Sequence, residues 1–192
     1  MAIDLTGYRI TVLCEDINQF DFICAYAKLC GANKRNINRL TQAHNNATVL
    51  THYPQAVTSH RPIATYQNVI LIVMIDADEK TVPERLREFD KKLDVDKHAL
   101  NQKTRDDNEK ILLLVPSRNI ESWFRYIDKN DQNVEITKGS DGKIISYKDD
   151  YPNDAKITAF AEKLKNVICI NGLPENAPSS LHHACEELKR LK

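Results

Sequence analysis

From Asn68 to Asp78 the chain reads Asn-Val-Ile-Leu-Ile-Val-Met-Ile-Asp-Ala-Asp, with no polar side chain between Val69 and Ile75. A short, uninterrupted run rich in β-branched residues reads as a strand buried on both faces, and such strands occupy the interior of parallel sheets. The expected architecture is therefore α/β: a Rossmann-like, mostly parallel sheet flanked by helices. Open α/β sheets bind ligands beyond the carboxyl ends of their strands, which is where Asp76 and Asp78 stand. Residues i and i+2 of an extended segment point the same way, so the two carboxylates can converge on one hard cation such as Mg²⁺. The plainer alternative is that Asp78 or Thr81 caps the helix that follows.

The chain of 192 residues is long enough for one domain with its own core. Its apolar content of 42% and charged content of 28% are those of an ordinary globular protein. No apolar run approaches the roughly 18 residues of a membrane span, and no signal-peptide pattern opens the chain. The expectation is a cytoplasmic protein without a membrane partner. Five cysteines, Cys14, Cys24, Cys30, Cys169 and Cys185, form no Cys-x-x-Cys pair and are expected to be reduced. Net charge is zero, yet no Asp or Glu occurs between Asp21 and Asp76. That interval carries Lys28, Lys34, Arg35, Arg39 and Arg61 with His44, His52 and His60. A basic stretch beside a carboxylate cluster suits a protein that handles phosphodiesters, although solvated basic side chains would look the same in sequence.

Tyr8–Cys14 reads as the first strand and runs into Glu15 and Asp16. Asn18 with Asp21 resembles an N-cap, followed by a helix closed near Gly31. From Asn33 to Gln67 the pattern weakens, with one short strand expected near Thr48–Tyr53. After the central strand, Thr81-x-x-Glu84 is a capping box with Pro83 in the first turn, so a helix is expected over Val82–Leu93. His98–Glu109 reads as a loop carrying Lys103 and Arg105. Ile111–Val115 is a third parallel strand stopped by Pro116. Ile120, Trp123, Phe124 and Ile127 then form a helical stripe with Glu121 on its flank. This unit, residues 1–128, is the expected core, and 129–192 an α/β extension packed on it. The extension is read as strands Val134–Thr137 and Lys143–Tyr147 around Gly139–Gly142, a helix over Ala155–Leu164, an edge strand at Val167–Ile170 and a last helix at Leu181–Leu191.

Three strand ends thus present Glu15 with Asp16, Asp76 with Asp78, and Glu121. Like charges gathered at one rim repel unless a cation or protons neutralise them. An all-oxygen donor set suits Mg²⁺ or Mn²⁺, which can activate water and stabilise charge in phosphoryl transfer.

An acid after the first strand and Asp-x-Asp after a later hydrophobic strand resemble the Toprim domain of topoisomerases, DnaG-type primases and OLD-family nucleases. The residues that carry the resemblance are Glu15 in Val-Leu-Cys-Glu-Asp and Asp76 with Asp78 in Ile-Asp-Ala-Asp. The segment Val115-Pro-Ser-Arg-Asn-Ile-Glu-Ser-Trp123 is also similar to the Glu-x-Trp segment of small standalone Toprim-like proteins, often found beside ATPases in anti-phage systems. The resemblance spans residues 8–128. It implies that Glu15 serves as acid/base or metal ligand, that Asp76, Asp78 and Glu121 bind metal, and that the substrate is DNA or RNA. Arg61, Lys103 or Arg118 would then steady the phosphate. Toprim glutamates are usually followed by Gly; here Asp16 follows, as an extra ligand or as a mark of drift from catalysis.

Other readings compete. A non-catalytic Toprim-like subunit could recognise nucleic acid or an ATPase partner, with Glu186, Glu187, Lys189 and Arg190 as a docking face. A receiver-like phosphoacceptor domain would use Asp76 and Ser117, but about sixty residues separate Glu15 from Asp76 and no lysine follows Ile170. His182 and Cys185 are too few for zinc. No nucleophile elbow or phosphate-binding glycine loop is present in the sequence.

Overall fold

The computed structural model describes residues 3–41, 43–100, 103–135, 145, 147, 150–151, 156–168 and 172–191. Four strands, β1 (Arg9–Cys14), β2 (Ile37–Arg39), β3 (Val69–Met74) and β4 (Ile111–Leu114), form an all-parallel sheet in the order β2-β1-β3-β4. The register pairs Ile10 with Ile37 and Ile70, and Ile72 with Leu112. Among the described residues six α-helices flank it: α1 (Ile17–Leu29), α2 (Asn46–Ala64), α3 (Val82–Leu100), α4 (Ile120–Lys129), α5 (Ile157–Lys163) and α6 (Ser179–Lys189). This is the α/β architecture that the sequence pattern implied.

The apolar run of β3 is continuous because its alternate residues enter two separate cores. Ile70, Ile72 and Met74 join Ile10, Val12, Leu112 and the helices α1, α4, α5 and α6 on one face. Leu71, Val73 and Ile75 join Leu13, Leu113, α2 and α3 on the other. A half-buried strand would have alternated with polar residues; this one has no solvated face.

The two sides are filled by chain segments that leave the sheet in opposite directions. From β1 the chain passes through α1 to β2 at one edge; from β3 it passes through α3 to β4 at the other. The gap between the carboxyl ends of β1 and β3 is thus the topological switch point of the sheet, where the loops diverge and leave a crevice.

Three local expectations are corrected. The strand expected near Thr48–Tyr53 is the first half of α2, and the edge strand lies earlier, at Ile37–Arg39. Asn45 starts α2 with a capping box: its Oδ1 accepts from Thr48 N at 3.0 Å, and Thr48 Oγ1 accepts from Asn45 N at 3.1 Å. Pro54 and Pro62 lie inside this helix, where each removes a backbone donor at a cost of about 3 kcal/mol. Burial of Val49, Tyr53 and Val57 against the sheet offsets that cost. The cap of α1 is Asp16, whose Oδ1 accepts from Gln19 N at 2.9 Å, rather than Asn18. The helix expected over Val82–Leu93 extends to Leu100, so His98–Leu100 are helical rather than loop. Thr81 and Glu84 form its capping contacts, with Thr81 N donating to Glu84 Oε2 at 2.8 Å.

In the extension, α5 packs on α1 and α4, and α6 on β4. Glu187 and His183 of α6 close the outer edge of β4: Leu113 N donates to Glu187 Oε2 at 2.8 Å, and His183 Nε2 lies 2.9 Å from Leu113 O. Edge strands otherwise present unpaired backbone groups to other chains. Glu187, 5% exposed and paired with Arg105 and Arg190, is therefore part of the interior and not of a docking face. Trp123 is core, 1% exposed, with its indole N–H on Ser180 Oγ at 2.8 Å. Val167 and Ile168 lie in a π-helical turn that continues α5, which corrects the strand expected there; residues 169–170 are outside the described ones. The expected hairpin over 134–147 lies for the most part outside the described residues, and Val134 is in a turn. Cys14, Cys24 and Cys30 are free thiols, whereas Cys185 is disulfide-bonded, which corrects the expectation of five reduced cysteines. No described helix is long and apolar enough to cross a membrane.

Candidate functional site at the sheet switch point

Glu15 follows β1 directly, and Asp76 stands two residues beyond Met74, the last residue of β3. Because those strands are neighbours in register, the two acids meet across the switch point. Glu15 Oε1 accepts from the backbone N–H of Asp76 at 2.7 Å. Gln19, fully buried in the first turn of α1, joins both: its Oε1 accepts from Glu15 N at 3.0 Å, and its Nε2 donates to Asp76 Oδ1 at 2.8 Å. Asp76 is itself only 4% exposed.

The electrostatics follow from this crowding. Burial pushes the Asp76 carboxyl well above the usual carboxylate range, and Glu15, Asp16, Glu121 and Asp78 push it the same way. Burial also raises Glu15, to about 7; the Asp76 amide opposes the rise, and the Asp78 and Asp16 charges add to it. Both acids therefore favour a proton or a cation in their vicinity.

Glu121 comes from the first turn of α4, which starts where Asn119 Oδ1 accepts from Ser122 N at 3.1 Å. It is 3% exposed, and Asn18 Nδ2 of α1 donates to its Oε1 at 3.1 Å. Its Oε2 is buried with no hydrogen-bond partner. Buried carboxylate oxygens are seldom left so, because an unpaired one forfeits its hydration without return.

Asp78 has a left-handed backbone, φ 54°, and is half exposed. Asn46 Nδ2, at the start of α2, donates to its Oδ2, and Arg85 Nη2 lies 3.5 Å from the same oxygen. Arg85 is 4% exposed and also donates to Ala77 O at 3.2 Å and to Glu88 Oε2 at 2.7 Å. Asp16 is spent as the cap of α1, a structural role.

The basic residues divide. Arg118 is at the acidic rim, just beyond β4; its Nη2 donates to Ile145 O at 3.0 Å and its Nε is buried without a partner. Arg61 and Lys103 are at the opposite rim, which corrects their assignment to phosphate at this site. Arg61 is fifteen residues along α2 from Asn46, about 22 Å at 1.5 Å per residue, and it pairs with Glu109 at 2.6 Å. Lys103 lies 3.7 Å from Asp106, in the segment that leads into the amino end of β4.

Three contributors escaped the sequence reading. Gln19 had a signal, since it stands three residues after the cap Asp16, the position from which a side chain reaches back in a capping box. Asn46 and Arg85 had none, because each acts across the fold.

Among the described residues, no three His, Cys, Asp or Glu side chains are gathered at ligand spacing. The donor set nonetheless fits a divalent ion of the Mg²⁺ type, which keeps several waters and is typically held by one or two carboxylates. Glu15 and Asp76 would supply those, and Glu121 Oε2, which has no hydrogen-bond partner, would be a further oxygen. Compared with protein-family models, with curated proteins and with solved structures, the chain has no match in any of the three.

Proposed function

We propose that this protein is a metal-dependent hydrolase of nucleic-acid phosphodiesters, with Glu15, Asp76 and Glu121 at its centre and Asp78 beside them. The observation that carries this reading is the meeting of Glu15 and Asp76 at the switch point, each held at one oxygen by protein and both raised in pKa by burial. A divalent ion held there would neutralise the acids, activate water and stabilise the charge that develops on a phosphoryl group. Gln19 keeps Asp76 Oδ1 fixed, so Asp76 is oriented before any ligand arrives. Glu15, with a carboxyl near pH 7, can accept or return a proton at neutral pH, as a general acid/base requires. Arg118, at the same rim, would meet the phosphate.

The hold of Arg85 and Asn46 on Asp78 favours a second reading. A chain whose Asp78 serves the loop could bind metal and nucleic acid, or an ATPase partner, without turnover.

Calorimetric titration of Mg²⁺ and Mn²⁺, followed by cleavage assays on single- and double-stranded DNA and RNA, separates the two. Cleavage by the wild type that Glu15→Gln and Asp76→Asn each lose supports the hydrolase. Metal binding lost in Asp76→Asn without cleavage of any substrate supports the binding subunit. No metal binding, with or without nucleic acid, removes both.

A further inference from the structure

On the sheet face that carries α2, polar side chains interrupt the apolar pattern toward the β2 edge. Thr11 and Asn38 line this region from the sheet, and His52, Gln55, Ser59 and His60 from α2. The helix residues recur at three- and four-residue spacing, so they form one stripe. Between stripe and sheet is a cavity of about 290 Å³ with no carboxylate among its described lining residues. A second cavity of about 380 Å³ continues at the amino rim, lined by Tyr8, Arg61, Gln67, Glu109 and Lys110 among others. His60 and Val69 line both.

His60 is only 8% exposed, yet its imidazole takes part in none of the described hydrogen bonds. Burial lowers its pKa, with Arg61 acting the same way and Glu109 opposing, so the ring is neutral at physiological pH and offers one donor and one acceptor. The ring borders both cavities, so a ligand in either can supply it with a polar partner.

The charges give the ligand its class. Across both cavities three basic residues, Arg9, Arg61 and Lys110, stand against one described carboxylate, Glu109. Glu109 is bonded to Arg61 at 2.6 Å. Arg9 spends one donor on the neutral Gln67 at 3.0 Å, and Lys110 donates to the Tyr8 hydroxyl and lies 4.5 Å from its ring centroid. Two positive charges remain without a described carboxylate, Arg9 at the first cavity and Lys110 at the second, and a phosphate monoester near pH 7 carries about that much negative charge. Each chamber is larger than a phosphate ion needs and of the size that takes small organic ligands.

We propose that this two-chambered cleft binds a small phosphorylated molecule, its phosphate drawn by Arg9 and Lys110 and its other polar groups met by His60, Asn38 and Gln55. The site is separate from the acidic rim: His60 is fourteen residues along α2 from Asn46, the residue that bonds Asp78, or about 21 Å of helix.

The test is a titration of protein labelled with ¹⁵N at histidine, with the ring signals of His60 followed by NMR against adenosine monophosphate, inorganic phosphate and citrate. The expected result is a saturable displacement by adenosine monophosphate, weaker with phosphate and absent with citrate. Arg9→Gln and Lys110→Gln should each raise the half-saturating concentration about tenfold, the loss of one charge-assisted contact. Arg9 is exposed and Lys110 only partly buried, so both variants keep the fold. Asp76→Asn should leave the titration unchanged, which distinguishes this site from the acidic rim. An unmoved His60, an equal response to citrate, or an unaltered titration in Arg9→Gln would overturn the proposal.

Discussion

Glu15 accepts a 2.7 Å hydrogen bond from the backbone N–H of Asp76, so the acid that ends one strand satisfies the backbone at the end of its neighbour. The contact brings two carboxylates together in a buried crevice. It binds the candidate chemistry of the site to the stability of the sheet.

The first prediction concerns pH. Burial first, then neighbouring acids, raises Glu15 to about 7 and Asp76 well above its usual value. An unfolded glutamate titrates near pH 4.3. Between those values the folded protein binds more protons than the unfolded chain, so its stability falls as pH rises. Melting temperature in chelator is expected to decline from about pH 5 to pH 8, and Glu15→Gln to flatten that decline. A melting temperature that instead climbs through this window would show that these groups do not control it.

Gln19 satisfies Glu15 N–H and Asp76 Oδ1 from a fully buried position. Gln19→Ala leaves both without that partner and should cost about 1–3 kcal/mol for each group that finds no replacement. Urea denaturation measures it. A loss below the error of that method would mean that water replaces the amide fully.

At the other edge, Glu187 holds Leu113 N–H, Arg105 and Arg190 while nearly buried. Burial tends to raise its pKa, but Arg105 and the Leu113 amide prevail and lower it. Its contribution is therefore present above the unfolded glutamate pKa and is lost as pH falls through the lower folded value. Glu187→Ala strands a half-buried Arg105 and leaves Leu113 N–H without its partner, and should destabilise by about 3 kcal/mol. Chemical denaturation at neutral pH checks the size, and an intact midpoint would reject the role.

Asp78 occupies left-handed backbone at φ 54°, a conformation that Asn and Asp tolerate and β-branched residues do not. Asp78→Asn should leave thermal stability nearly unchanged, whereas Asp78→Val should lose about 1–3 kcal/mol. Equal melting temperatures for the two variants would refute strain at this position.

Where sequence reading and structure part, the cause is the range over which the deciding interaction acts. The Thr81–Glu84 cap and the Ile120–Ile127 stripe are local and were legible. The segment 46–64 was not, because its β-branched residues and two prolines oppose a helix locally, and only packing of Val49, Tyr53 and Val57 on the sheet outweighs them. Arg61 looked like any basic residue beside acids; its partner Glu109 is 48 positions away.

The sequence by itself determined the class of fold and the position of the acids on it. Apolar runs without polar alternation can only be buried on both faces, and residues after such strands can only emerge at the carboxyl rim. The tertiary structure alone decided which acids meet. Strand order put β1 beside β3 and made their gap the switch point; helix packing brought Gln19 and Asn18 onto Asp76 and Glu121 and carried Arg61 to the far rim. Spacing along a chain sets which way a side chain leaves its own element, but which side chain it meets depends on the order in which elements pack.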